Sequence, residues 1–134
     1  MNKKFLRAGV HRARANDVGA AVAGFEQEGW KVFVLPDGIS DHEGFFRAAR
    51  ALFPLDPPLA SYDNWDALAD SLSAGLYDLP DRRIAILWPD TTVRIPHPTT
   101  YEIALGVLEQ VQASLADLRV RAGKPKDVAV VVGK

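Results

Sequence analysis

The chain of 134 residues contains no cysteine. This absence excludes disulfide bridges, thiolate metal ligands and cysteine nucleophiles. It also fits the reducing cytoplasm, which we therefore predict as the location of the protein. The length suits one domain with a sizeable hydrophobic core.

Long apolar runs and metal-binding patterns are also missing. No apolar stretch approaches the roughly 20 residues that a membrane-spanning helix requires, and no signal-peptide core follows the basic start of the chain. The histidines His11, His42 and His97 are scattered, and the acidic residues have no Gly-rich phosphate loop or nucleophile elbow beside them. We therefore predict no membrane contact, no metal, no cofactor and no enzymatic activity.

Three short apolar runs predict the strands of a parallel sheet. They are continuous rather than alternating, as expected for strands that are covered on both faces. The runs are residues 32–35, 84–88 and 128–132. Trp30, Trp65 and Trp88 lie in or beside predicted elements, and we expect them to be core residues rather than ligand platforms.

Four helical patterns accompany these runs. Each has a candidate first residue, and these are Asp17, Ser40, Asn64 and Thr99. The third helix is short (64–73), whereas the fourth keeps its apolar spacing of three and four through Leu118. The order helix, strand, helix, helix, strand, helix, strand predicts the α/β class with a parallel sheet.

The first sixteen residues form a basic arm that the pattern does not assign. A disordered arm and a short strand near residues 9–12 are both open for residues 1–16, and we assign residues 17–134 to a single domain. The arm is basic, as is the stretch after Arg119, but the sequence pI of 6.3 is below the range typical of nucleic-acid-binding domains. Nucleic acid is therefore not expected as a partner.

Negative charge is concentrated between residues 51 and 81. This stretch holds six aspartates and no Lys, Arg or His. Asp63, Asp66 and Asp70 follow i, i+3, i+7 spacing and so point to the same side of a helix. Such an acidic face speeds the encounter with a basic partner. The charge pattern alone nevertheless favours a plainer interpretation, in which these aspartates cap and solvate an ordinary exposed helix.

A resemblance to a known family favours the binding interpretation. It is carried by the segment Asn64-Trp65-Asp66-Ala67-Leu68-Ala69-Asp70-Ser71-Leu72, which resembles the acidic helix of the barstar family. Similarity of a more general kind extends over residues 24–133. The resemblance implies an α/β fold with a three-stranded parallel sheet packed with helices, and it implies no catalysis. Family inhibitors insert the acidic helix and the preceding loop into the active-site cleft of a small ribonuclease, where carboxylates replace the substrate phosphate.

The resemblance also implies which residues contact the partner. Asp70 is expected to meet the catalytic basic residues of the nuclease, with Asp66 beside it. The further implied contact residues are Asn64, Trp65, Ala67, Ala69, Tyr62, Asp63, Ser73 and Ala74. The expected partner is a basic extracellular or toxin-borne ribonuclease. An alternative is a protein of the same fold that gives immunity to a different toxin or acts as an adaptor.

The loop before the acidic helix departs from the family pattern. Ala60 and Ser61 stand where well-known inhibitors have tyrosines, and Tyr62 stands where a glycine is common. Ser71 replaces a frequent cysteine, a change that we expect to be harmless. These differences concern the identity of the partner more than the fold.

Overall fold

The computed structural model describes residues 6–61, 63–117 and 124–134. In chain order the elements are β1 (Gly9–Ala13), α1 (Ala15–Gln27), β2 (Lys31–Val34), α2 (His42–Leu52), α3 (Trp65–Tyr77), β3 (Arg83–Trp88), a short 3-10 helix (Thr92–Arg94), α4 (Pro98–Ala116) and β4 (Asp127–Gly133). The predicted order of helices and strands is confirmed, with one strand added before the first helix.

The sheet has four parallel strands in the order β1-β4-β3-β2. The three predicted strands are β2, β3 and β4, so the observed sheet differs from the prediction by β1 alone. β1 pairs with β4 in the register Gly9↔Ala129 and lies at the edge. Its central residues, His11 and Arg12, are polar, because an edge strand is only partly covered and needs no continuous apolar run. Of the two structures left open for this segment, the strand is the one present.

Two hydrophobic cores lie on the two faces of the sheet. Along β3, Ile84, Ile86 and Trp88 point to the core shared with α2, α3 and α4. The alternate residues Ala85 and Leu87 point to the core shared with α1. β3 and β4 are therefore covered on both faces, which explains their continuous apolar runs.

The N-termini of α1 and α2 differ from the predicted capping. In α2 the cap is Asp41 rather than Ser40, and its carboxylate accepts a hydrogen bond from the Gly44 amide at 2.7 Å. α1 begins after Arg14, so Asp17 lies within its first turn instead of capping it. A carboxylate in the first turn still stabilises a helix, because it lies near the positive end of the macrodipole.

The bounds of α3 and α4 also differ from prediction. α4 begins at Pro98 rather than Thr99, since proline fits the first helical position, where no amide donor is needed. It ends at Ala116, short of the predicted Leu118, because the backbone of Asp117 is already extended; Leu118 itself lies outside the described residues. α3 runs to Tyr77, one turn beyond the predicted end at Ser73. None of the helices in the described part of the chain is both long and apolar enough to cross a membrane.

Candidate functional site

The acidic helix α3 is fixed at its start by a cap and by two buried leucines. The side-chain oxygen of Asn64 accepts a hydrogen bond from the Ala67 amide at 3.0 Å, which satisfies one free donor of the first turn. Leu68 and Leu72 are fully buried in the core beneath the helix. Asp66 lies in the first turn, where the macrodipole favours a negative charge. One side of α3 is thus held in the core while the other faces outward.

Trp65 joins the start of α3 to α2. Its ring lies 4.7 Å from the Phe46 ring and 5.8 Å from the Phe45 ring, measured between centroids. The side chain is half-buried, so it packs against the core and also leaves part of its surface at the edge of the acidic face. Trp65 therefore anchors the helix and remains accessible to a partner.

The three predicted acidic residues are all exposed. Asp63 precedes the helix, and Asp66 and Asp70 follow one turn apart on it. Among the residues that the structure describes, no hydrogen bond or ion pair reaches the carboxylate of Asp66 or Asp70. Their mutual repulsion in an exposed helix amounts to about 0.2–0.5 kcal/mol. The two charges therefore lie one helical turn apart, and no cation among the described residues neutralises them.

A loop of residues 54–61, here called the proline loop, runs along α3 in the opposite direction. Near the end of the helix, Gly75 approaches the carbonyl oxygen of Pro54 so closely that only glycine fits. One turn earlier, the Asp56 amide donates to the carbonyl oxygen of Ser71 at 3.1 Å, and the Ser71 hydroxyl donates to the carbonyl oxygen of Pro57. The loop is thus bonded to the helix on which the acidic residues lie.

The proline loop is also held from α2. The guanidinium of Arg50, in the last turn of α2, donates to the carbonyl oxygen of Leu59. The Leu59 side chain is only 8% exposed and belongs to the core. Together these contacts fix the middle of the loop to α2 and to the core.

A groove lies between the proline loop and α3. Its walls come from the loop residues Pro57, Pro58, Leu59, Ala60 and Ser61 and from the helix-side residues Asn64, Ala67, Asp70 and Ser71. Most of these side chains are small or apolar, and Asp70 is the one with a negative charge. An apolar groove with a carboxylate in its wall suits a partner side chain that has an aliphatic stem and a cationic end.

The other predicted contact residues differ in how far their side chains are exposed. Ala67 and Ala74 are half-buried at the edge of the acidic face. Ala69, by contrast, is 1% exposed and Ser73 9% exposed, because both lie on the side of α3 that packs inward. Both side chains are therefore buried in the free protein, and their contact with a partner stays a prediction. Tyr62 lies outside the described residues.

Ser71 has a larger part in the site than the sequence indicated. From the sequence alone, the replacement of a frequent cysteine by Ser71 is expected to be harmless. The side chain is 1% exposed, and its hydroxyl holds the proline loop through the Pro57 carbonyl. The sequence does not indicate the contact of Arg50, because no local pattern connects the end of α2 with a residue nine positions later.

A buried lysine fixes the far end of α3. The ammonium group of Lys126 donates to the carbonyl oxygens of Leu79 and Asp81, at 2.5 and 2.6 Å, in the turn that follows the helix. Burial lowers the pKa of Lys126, while the nearby charges of Asp81 and Asp78 act to raise it. Because Lys126 directly precedes β4, these bonds tie the end of the acidic helix to the central sheet.

Another polar cluster lies at the carboxyl ends of β2 and β3. The Asp90 carboxylate accepts hydrogen bonds from the Gly38 amide at 2.9 Å and from the Thr92 hydroxyl at 2.7 Å. The bond from Gly38, followed by that from Thr92, lowers the pKa of Asp90. Both partners belong to the chain itself, so the Asp90 carboxylate links the loop after β3 to the loop after β2. Over the described residues, no group of three His, Asp or Glu side chains is arranged to hold a metal ion.

The comparison with protein families agrees with this geometry. The family model described as Barstar (barnase inhibitor) matches residues 30–131, which run from the start of β2 into β4 and include α2, the proline loop, α3 and α4. β1 and α1 lie outside the matched range. No curated protein and no solved structure matches the chain. The matched range is most of the sequence, and the chain therefore belongs to the barstar family.

Proposed function

We propose that this chain inhibits a small basic ribonuclease by covering its active site with α3 and the proline loop. The observation that carries the proposal is the pair Asp66 and Asp70, exposed on a helix anchored in the core and without a neutralising partner among the described residues. Membership of the barstar family supplies the class of target. The acidic face would act as a binding surface, with no chemical step of its own.

The chemistry of a ribonuclease cleft fits these two carboxylates. A cleft that binds phosphate presents converging Arg, Lys and His donors, and a carboxylate satisfies such donors with short, charge-assisted hydrogen bonds. Asp70, which also lines the groove, is the residue that we assign to the catalytic cations, with Asp66 beside it. Neither carboxylate has to break a described ion pair in the free protein before it binds.

The distribution of charge supports fast association. Net charge is only −1, yet the aspartates between residues 51 and 81 have no basic residue among them in the sequence. Such a local negative field steers a positive partner towards the correct face and raises the association rate at low ionic strength. Under this proposal the inhibitor acts in the cytoplasm of the cell that makes the nuclease.

The test is a titration of ribonuclease activity. A panel of small basic ribonucleases, with barnase among them, is titrated with the chain, and at least one is expected to lose its activity at one equivalent. The association rate should fall as salt increases, and a nucleotide that occupies the active site should compete with the chain. Full activity of every nuclease at excess inhibitor would contradict the proposal. A complex that leaves activity intact would favour the alternative, an immunity or adaptor protein.

A further inference from the structure

The composition of the proline loop leaves its backbone short of donors. Pro54, Pro57 and Pro58 have no amide hydrogen, so these positions cannot bond to a neighbouring element through N–H groups. The loop must then be held mainly through its carbonyl oxygens, and the donors must come from elsewhere. The structure supplies them as side chains, with the Ser71 hydroxyl on Pro57 and the Arg50 guanidinium on Leu59.

The two donors lie on different elements and act on different parts of the loop. Ser71 reaches from the buried side of α3, where it is 1% exposed. Arg50 reaches from an exposed position at the end of α2. An exposed arginine more commonly extends into water, so its contact with a backbone carbonyl costs side-chain entropy that the loop contact must offset. The loop is therefore hydrogen-bonded to both α2 and α3 in the free protein.

We propose that Arg50 and Ser71 are positioning residues, which hold the proline loop in its binding conformation before the nuclease arrives. This inference rests on the proposed function, because the loop and α3 form the two walls of the groove. A loop that is already ordered loses little conformational freedom on binding, and the complex is tighter for that reason. Neither residue is assigned a contact with the partner.

A substitution of Arg50 distinguishes the proposal from a purely electrostatic account. Removal of a positive charge beside an acidic face should strengthen binding to a basic nuclease if charge alone matters. If Arg50 positions the loop, Arg50→Met should weaken inhibition by about tenfold, because the loop has to be ordered at the binding step. The two accounts thus predict changes of opposite sign for one substitution.

Arg47→Met is the matched control. Arg47 lies on the same helix, and its guanidinium pairs with Glu43 at 3.1 Å. The substitution removes the same charge and leaves the contact with Leu59 in place. Ser71→Ala is the second test variant, since it removes the donor to Pro57 without a change in charge. Arg50→Lys retains a cationic donor and should recover part of the lost affinity.

The experiment measures two quantities on each folded variant. The first is hydrogen exchange of the Asp56 amide, which donates to the Ser71 carbonyl oxygen in the free protein, and the second is the inhibition constant against the nuclease that wild type inhibits. We expect faster exchange and about tenfold weaker inhibition for Arg50→Met and for Ser71→Ala, with neither change for Arg47→Met.

Three results would overturn the inference. Unchanged loop exchange in both test variants would mean that the two side chains do not order the loop. Faster exchange with unchanged inhibition would mean that loop order does not matter for binding, and tighter inhibition by Arg50→Met would favour electrostatics. Failure of wild type to inhibit any nuclease would remove the proposed function itself, and the exchange data would still show whether the loop is held.

Discussion

The contact between α3 and the proline loop at Gly75 leads to a sharp prediction for Gly75→Ala. A Cβ atom at this position would lie 1.4 Å from the carbonyl oxygen of Pro54 and 2.6 Å from its carbonyl carbon. Since the obstacle is backbone, no side-chain rotation relieves the overlap. The loop must therefore move away from the helix. This movement should weaken its hydrogen bonds to Ser71 and expose part of the Leu59 side chain.

Overpacking that a core can absorb costs about 1–3 kcal/mol, and backbone overlap of this size places Gly75→Ala at about 3 kcal/mol or more of lost unfolding free energy. Gly106→Ala on α4 is the control, because nothing lies within 4 Å of its added Cβ. That substitution should stabilise the protein by about 0.5–1 kcal/mol through helix propensity.

Urea unfolding followed by tryptophan fluorescence gives both free energies. The reasoning is refuted if Gly75→Ala remains within about 0.5 kcal/mol of wild type while Gly106→Ala behaves as expected. That result would show that the loop does not lie against α3 as closely as the structure has it.

Two further predictions concern the ends of the sheet and its second face. The hydrogen bond from Gly38 lowers the pKa of Asp90 below its ordinary value of 3.8, so the carboxylate stabilises the fold above that pH, and the contribution is lost as pH falls through the lowered pKa. Asp90→Asn should therefore be less stable than wild type at pH 7, and urea unfolding at decreasing pH should show the difference shrinking; a constant difference would contradict this. A chain that starts at Trp30 lacks β1 and α1 and exposes the apolar face that α1 covers, so gel filtration should show aggregates, and a folded monomer would contradict the prediction.

The strands and helices that the sequence predicted best are those whose pattern is set by burial. β3 and β4 are covered on both faces, so each appears as an uninterrupted apolar run, and α3 keeps Leu68 and Leu72 on one side. The sequence does not decide whether β1 forms, because an edge strand with His11 and Arg12 at its centre has no such run. A continuous apolar run indicates a strand that is buried on both faces, and β1 is only partly buried.

The helix caps were predicted less well, because neighbouring residues compete for the same position. Ser40 and Asp41 are both good caps, and only the backbone path decides that Asp41 serves. At α4, proline at the first helical position displaces the expected start at Thr99. These errors are of one or two residues and do not alter the fold.

The acidic residues of the candidate site could be predicted from the sequence, but their support could not. The spacing of Asp66 and Asp70 requires only a helix, and the helix is present. Contacts such as Arg50 with Leu59 or Lys126 with Leu79 depend on the tertiary fold, so no repeating pattern in the sequence indicates them. The sequence also does not predict the burial of Ala69. The resemblance implies a contact role for this residue but does not show how deeply α3 packs into the core.

The central claim is that the exposed carboxylate of Asp70 binds the catalytic cations of a ribonuclease. The most direct measurement compares the inhibition constants of Asp70→Asn and of Asp17→Asn, which makes the same charge change on α1, across the sheet. Loss of one partner from a buried, hydrogen-bonded charge pair costs about 2–5 kcal/mol, so Asp70→Asn should weaken inhibition by roughly 30-fold to several thousandfold while its circular dichroism spectrum stays that of wild type. Asp17→Asn should stay close to wild type. Equal inhibition by the two variants would contradict the account.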